Sequence, residues 1–452
     1  MPRITKKSKP TTTPQTITTI PTVPVAEQPY RVPENWRWVY GKSIMKPMEV
    51  KRPTGNVFKY IDIDSIDNKR QIVSEPKTIK TMDAPSRASR ALHPGDTVFS
   101  MVRPYLKNIA YIDSSIADSI ASSGFYVCSP INSVNKRYNY YLMISPYVID
   151  GLNAFMKGDN SPSIRKDDLE QFPFPLPPLA EQQRIVDRIE RLFAQLDEAR
   201  EKAQAVVDAF EDRKATILHK AFTGELTKRW REERGIGIDS WERIPLNTIC
   251  ERIFDGPFGS NLKSDDYVEN GIRVVRLENI KNLWFDDSKK SFVTKEKYKT
   301  IDSHTVIPTD LIMSTFIADE IKICQMPSYI GFAINKADCI GIRLKQSVHQ
   351  SYILYFLSSK DTYNHLIKMI HGATRPRVNT KQIKEIAIPL ACSNEQDEIV
   401  RVIDNLFAQE QRARDLAESV IAQIDVMKKA ILARAFRGEL GTNDTSESAC
   451  EM

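Results

Sequence analysis

Five loop segments of this sequence hold side chains with the chemistry to contact nucleic acid. Ser86, Arg87 and Arg90 fall in one, Arg103, Tyr105 and Lys107 in a second, Asn160 and Arg165 in a third. Phe258, Ser260, Asn261 and Lys263 lie in a Gly-rich stretch, and Arg375, Arg377 and Asn379 in the last. Arg, Lys, Ser and Asn supply the donors that phosphates and base edges accept. Arg can bridge guanine O6 and N7, and Asn can bridge adenine N6 and N7. Taken singly, each residue also reads as a solvated loop position; taken as a set, they predict DNA contact.

Arrangements for covalent chemistry are missing from the sequence. Gly41-Lys42-Ser43 has the ending of a phosphate-binding loop, but that motif needs a Gly where Trp36 stands. No Asn/Asp-Pro-Pro-Tyr/Phe motif for gripping a flipped base occurs, since Pro177-Pro178 is flanked by Leu176 and Leu179. No GxGxxG follows a strand pattern and no GxSxG is present. Asp167-Asp168 and Asp265-Asp266 read as surface acids. The six Cys include no CxxC, and the six His form no HxH or HxxxH pair. Neither a metal centre nor a disulfide framework is expected. Reduced thiols and the lack of a secretory signal point to the cytoplasm.

The elements that must position these loops come from an internal duplication. Residues 181–226 match 395–440 at a constant offset of 214, with 21 of 46 positions identical and no gap. Both copies hold Glu-Gln, Ile-Val, Leu-Phe-Ala-Gln and a closing Ala-Phe-x-Gly-Glu-Leu. Upstream the offset persists more weakly, pairing Asp96 with Asp310, Tyr138 with Tyr352 and Gly158 with Gly372. Trp36 and Trp241 correspond at an offset of 205, so the second copy carries about nine extra residues early on. The chain is thus two copies of a mixed domain followed by a helix.

In the first helix, Ile185, Ile189, Leu192, Leu196, Val206 and Phe210 lie on an a/d heptad stripe. In the second, Ile399, Ile403, Leu406, Val420, Ile424, Met427 and Ile431 lie on the equivalent stripe, broken only by Glu410. Gly224 and Gly438 stand where helix stops belong. Each helix is expected to run ~40 residues, or ~60 Å, and a narrow stripe wants one partner helix. The expectation is an antiparallel pair acting as a spacer between the mixed domains, on a pseudo-two-fold axis. Such a spacer suits two half-sites about one ~34 Å turn of B-DNA apart. The alternative is that each helix packs on its own domain.

Composition bounds the rest. The 452 residues suffice for about three domains. Apolar residues make up 41% and charged residues 27%, an ordinary globular profile with no membrane-length apolar run. The net charge of +6 permits a nucleic-acid partner without requiring one. Expected segments are a disordered, basic Thr/Pro-rich tail (1–28), a first mixed domain (29–178) and a central helix with linker (179–234). A second mixed domain (235–391), a C-terminal helix (392–440) and a disordered tail (441–452) follow. The mixed domains carry +5 and +3 and the leading tail +3, whereas the central helix segment is neutral and residues 392–452 carry −5.

Pro33-Glu34-Asn35-Trp36, the run from Pro175 to Val186 and the twin Ala-Phe-x-Gly-Glu-Leu closings resemble the DNA specificity subunit of type I restriction–modification systems. The loop from Asp255 to Leu262 is also similar to loops in such subunits. The resemblance covers residues 29–440; the second copy departs from it at Pro389-Leu390-Ala391-Cys392, with one Pro in place of two. It implies an α+β fold with two target-recognition domains and two long antiparallel spacer helices. It implies a non-catalytic chain that reads a bipartite, asymmetric site on double-stranded DNA and docks two modification subunits and restriction subunits. S-adenosylmethionine, ATP and Mg would then be bound by those partners and not by this chain. The competing readings are a coiled-coil adaptor without DNA specificity, and the specificity portion of a fused enzyme. The second is disfavoured because only a 28-residue tail precedes the first domain.

Overall fold

The offset of the repeat reappears element by element in the computed structural model, which describes residues 20–370 and 376–447. The chain divides into two compact units. One combines the residues up to Lys202 with those from Val420 onward, and the other is Ala203–Ser419.

Each unit contains an α+β domain on one scaffold. In the first, Arg37–Tyr40 pairs antiparallel with Pro173–Leu176. A three-stranded sheet runs Phe125–Cys128, Thr97–Ser100, Ile109–Tyr111, and a four-stranded sheet contains Val57–Ile61 parallel to Ile120–Ser122. In the second unit Glu242–Pro245 pairs with Ala387–Leu390, and Cys339–Leu344, Leu311–Ser314 and Ile323–Gln325 repeat the three-stranded order. Ile272–Val275 lies parallel to Ala333–Asn335 in a five-stranded sheet. Strand Val57–Ile61 ends where the Asp62 side chain accepts from Ser65 N and opens a tight turn.

Helices Lys136–Met143 and Gln350–Ser358 start 214 residues apart and anchor their units alike. Tyr138 and Tyr352 are buried with their hydroxyls donating to the carbonyls of Pro175 and Pro389. Tyr138 also meets the Phe436 ring edge-on at 5.4 Å, and Tyr352 meets Phe222 at 5.2 Å.

The first long helix is Leu179–Asp208 followed by Phe210–Phe222, with Ala209 just outside helical geometry (ψ 0°) while Arg213 N still donates to its carbonyl. The second is continuous over Ser393–Phe436. Gly224 and Gly438 follow the ends at φ +78° and +81°, a left-handed closing turn that a Cβ would strain.

The heptad stripe is buried unevenly. Ile185 and Ile189 join the core of the first unit with Leu432, Ala435 and Phe436, and half-buried Ile431 packs against them. Ile399 and Ile403 join the core of the second with Leu218 and Phe222. The outer ends of the stripe therefore pack on the mixed domains. Leu192, Leu196, Val206, Leu406 and Val420 are half-buried, Phe210 and Ile424 buried, and Met427 exposed. Where two helices have only each other, each apolar side chain is covered on one flank. The pairing is antiparallel within each unit. Arg200 pairs with Asp425 and Lys428 with Asp197 in the first. In the second, Glu410, the residue that breaks the stripe, accepts from Arg213 at 2.6 Å.

Both expected tails require correction. Val23 is buried and its N–H donates to Trp38 O at 2.8 Å, so Thr22 and Val23 pair along strand Arg37–Tyr40, and an exposed helical turn, Val25–Glu27, follows; residues 1–19 lie outside the described residues. At the other end, the Thr442 hydroxyl and Asn443 N–H donate to the buried Glu181 carboxylate, and Arg184 bridges Glu181 and Glu447. Thus 441–447 is bound by charge and hydrogen bonds, with 448–452 outside the described residues.

Candidate nucleic-acid interface

The repeat places two loops side by side in each unit. In the first, Val102 bridges Ser163, and Arg103 N donates to Pro162 O at 2.8 Å. In the second, at the same offset, Phe316 bridges Arg377 and Ile317 N donates to Pro376 O at 3.2 Å. Three loops of the first unit are tied in series: Ser123 N donates to Arg87 O, and Met101 N to Gly124 O.

Arg103, Tyr105, Lys107 and Asn160 are brought together. Arg103 and Lys107 hold left-handed backbone, φ 47° and 58°, an unfavourable conformation for side chains with a Cβ. The Arg103 guanidinium donates to Asn160 O at 2.6 Å, tethering the two loops. Tyr105 is exposed in the turn Pro104–Leu106, which separates Arg103 from Lys107 in sequence. Such strain persists where surrounding bonds over-determine it, as at ligand-contacting loops. Ser86 and Arg87 are exposed on the neighbouring loop, where Arg52, not singled out in the sequence, donates to Ser86 O. Arg90 departs from expectation. It ends strand Ala88–Arg90, is half-buried, and its Nε has no hydrogen-bond partner among the described residues. Arg165 is exposed and precedes helix Lys166–Glu170, its N–H donating to Asp168.

In the second unit Phe258, Asn261 and Lys263 are exposed on the 255–263 loop. Arg375 lies outside the described residues, as does the Ser260 side chain. Asn379 is partly committed to structure: its side-chain oxygen caps helix Thr380–Lys384 by accepting from Gln382 N. Arg377 is exposed, stacks on Phe316 with 4.0 Å from guanidinium carbon to ring centroid, and donates to Asp338 at 3.1 Å. Phe316 and Asp338 were missed in the sequence. The 214 offset carries the predicted loop of Arg103 to Lys107 onto residues 317–321 and so marks the neighbourhood of Phe316, whereas no sequence signal marks Asp338.

Gly256 fixes the position of the 255–263 loop. A Cβ there would lie 2.1 Å from Asn335 O and from the carbonyl carbon of Lys336, both backbone atoms. Gly256→Ala is expected to displace the loop and cost about 1–3 kcal/mol by overpacking. A thermal melt reads that loss, and an unchanged melting temperature would count against the close approach.

Of the five described thiols, Cys392 is exposed and the other four are shut away from solvent. Burial of Cys128, Cys250, Cys324 and Cys339 disfavours their thiolates, and it pushes Cys250 and Cys324 up to about 12. Among the described residues, no group of three or more His, Cys, Asp or Glu could hold a metal ion. No described helix is long and apolar enough to cross a membrane.

A family model, the type I restriction modification DNA specificity domain, matches residues 42–206 and again 239–418. The chain belongs to this family. Its two matched stretches correspond to the two copies of the sequence repeat. Over 316 residues the chain is 25% identical to the EcoBI type I restriction enzyme specificity subunit of Escherichia coli, covering 68% of this chain and 66% of that one. It is 23% identical over 297 residues to the EcoKI specificity subunit of Escherichia coli strain K12, covering 64% and 62%. It therefore spans just under two thirds of the length of these two relatives. Among solved structures, it is similar to a chain from work on complex assembly and conformational transition of the type I R-M system. That match has a TM-score of 0.71 and 25% identity, covering 91% of this chain and 100% of the other. The crystal structure of the HsdS subunit from Thermoanaerobacter tengcongensis matches with a TM-score of 0.61 and 25% identity, covering 92% and 100%.

Proposed function

We propose that this specificity-family chain is the non-catalytic DNA-recognition subunit of a cytoplasmic type I restriction–modification complex. The observation that carries the reading is the pairing of one scaffold, used twice, with loops that differ between the copies. The Arg103–Asn160 tether of the first unit and the Arg377–Phe316 stack of the second occupy the same junction. Two such readers on one chain suit a bipartite target with unlike half-sites. The long helices are the elements suited to set the spacing between half-sites. Two modification subunits and the restriction subunits are its protein partners, and they bind S-adenosylmethionine, ATP and Mg.

Adenine methylation mapped across the genome of the source cell, with and without this gene, tests the reading. The expected result is loss of one split, asymmetric motif. If no motif disappears while the chain still co-purifies with other proteins, the adaptor reading replaces this one.

A further inference from the structure

We propose that Arg377 reads a guanine in the half-site taken by the second unit, with Phe316 and Asp338 as positioning residues; this rests on the recognition function proposed above. The guanidinium lies over the Phe316 ring at 4.0 Å and donates from Nη2 to Asp338 Oδ1 at 3.1 Å. Both supports are themselves pinned. Thr315 donates to Asp338 O from its N–H at 2.9 Å and from its hydroxyl at 3.1 Å. Phe316 N donates to Ser314 Oγ at 3.0 Å. The Arg377 side chain is nevertheless 56% exposed. Of its five N–H donors, Asp338 takes one.

This geometry favours a base edge over a phosphate. A carboxylate beside the guanidinium offsets its charge and repels a phosphate at close range. It leaves the planar fork free for two neutral acceptors side by side, which in the major groove are guanine O6 and N7. Stacking fixes the plane in advance, so little rotamer freedom remains to be lost on binding. The first-unit positions matching Phe316, Arg377 and Asp338 are Val102, Ser163 and Gly124, so the ring and the carboxylate have no counterpart there, and the cation of that junction, Arg103, is engaged in part by the Asn160 carbonyl. The device therefore belongs to one of the two readers.

The test uses the chain purified with its modification subunits as wild type, R377K and D338N. Each binds in competition against duplexes in which every base of both half-sites is varied in turn. Wild type is expected to prefer guanine at one position by roughly ten- to a hundredfold. R377K keeps the charge without the fork, so that preference should fall to about threefold or less at that position alone. D338N should weaken it at the same position and to a smaller extent. An unchanged profile in R377K, or an even loss of affinity for every sequence, would overturn the assignment, the latter marking a phosphate contact. Should R377K fail to assemble, D338N decides on the same two outcomes. Wild-type half-sites without a G·C pair overturn it with no variant needed. A wild-type complex with no base preference anywhere instead overturns the recognition function itself.

Discussion

Glu395→Ala is expected to destabilise the second unit by about 3–5 kcal/mol, the cost of breaking a buried ion pair from one side. Glu395 is fully buried, and Arg231, which donates to it at 2.6 Å, is 6% exposed at the side chain. The same carboxylate accepts from the Thr227 hydroxyl and from Trp241 Nε1, each at 2.8 Å. Alanine removes the carboxylate facing the Arg231 charge and the acceptor of the Thr227 hydroxyl and the Trp241 indole N–H, leaving the guanidinium with just the Gly224 carbonyl and the Thr227 oxygen. Chemical denaturation followed by Trp fluorescence measures the loss. Arg231→Met combined with Glu395→Leu should recover most of it, since removing both charges removes the desolvation penalty with them. Glu181, at the equivalent position, gives the control. Its partner Arg184 is 35% exposed, so water compensates part of the loss, and Glu181→Ala should cost about 1–3 kcal/mol. Equal effects in the two units would refute this account of the difference.

Phe436→Ala should cost the first unit about 3–5 kcal/mol, within the range for deleting a buried aromatic side chain. Phe436 is wholly buried in a core that also holds Tyr138, Ile185 and Ile189. Its carbonyl accepts from the Tyr30 hydroxyl at 2.9 Å, so the helix end is held on two sides. The C-terminal helix thus closes a domain whose strands lie near the start of the chain. Phe222→Ala should act in the same way on the second unit, through Tyr352 and Phe356. A melt of each variant decides the point: a cost under about 1 kcal/mol would mean that the site collapses around the cavity, or that the helix end is not held there.

The α+β class came with the family resemblance, whereas the duplication and the extent of the long helices were legible in the residues themselves. These rest on local signals: heptad periodicity, helix-stopping glycines and a repeat offset of 214 that also separates Leu179 from Ser393 and Phe222 from Phe436. The chain's Glu-Gln pairs were legible as a family phrase, yet their work was not. Glu181 binds residues 442 and 443, and Glu395 binds Thr227 and Arg231. Tertiary structure alone decided those closures. It also decided the Glu410–Arg213 pair that satisfies the charge in the heptad stripe, and the docking of residues 20–28 and 441–447. The candidate interface divides in the same way. Residue type marked Arg103, Asn160 and Arg377 as able to contact DNA, but Arg377 meets Phe316 and Asp338 only because strand pairing joins segments 61 and 39 residues away. Local propensity is written in neighbouring residues, whereas a contact between distant segments exists only once the core has closed and fixed which loops share a face.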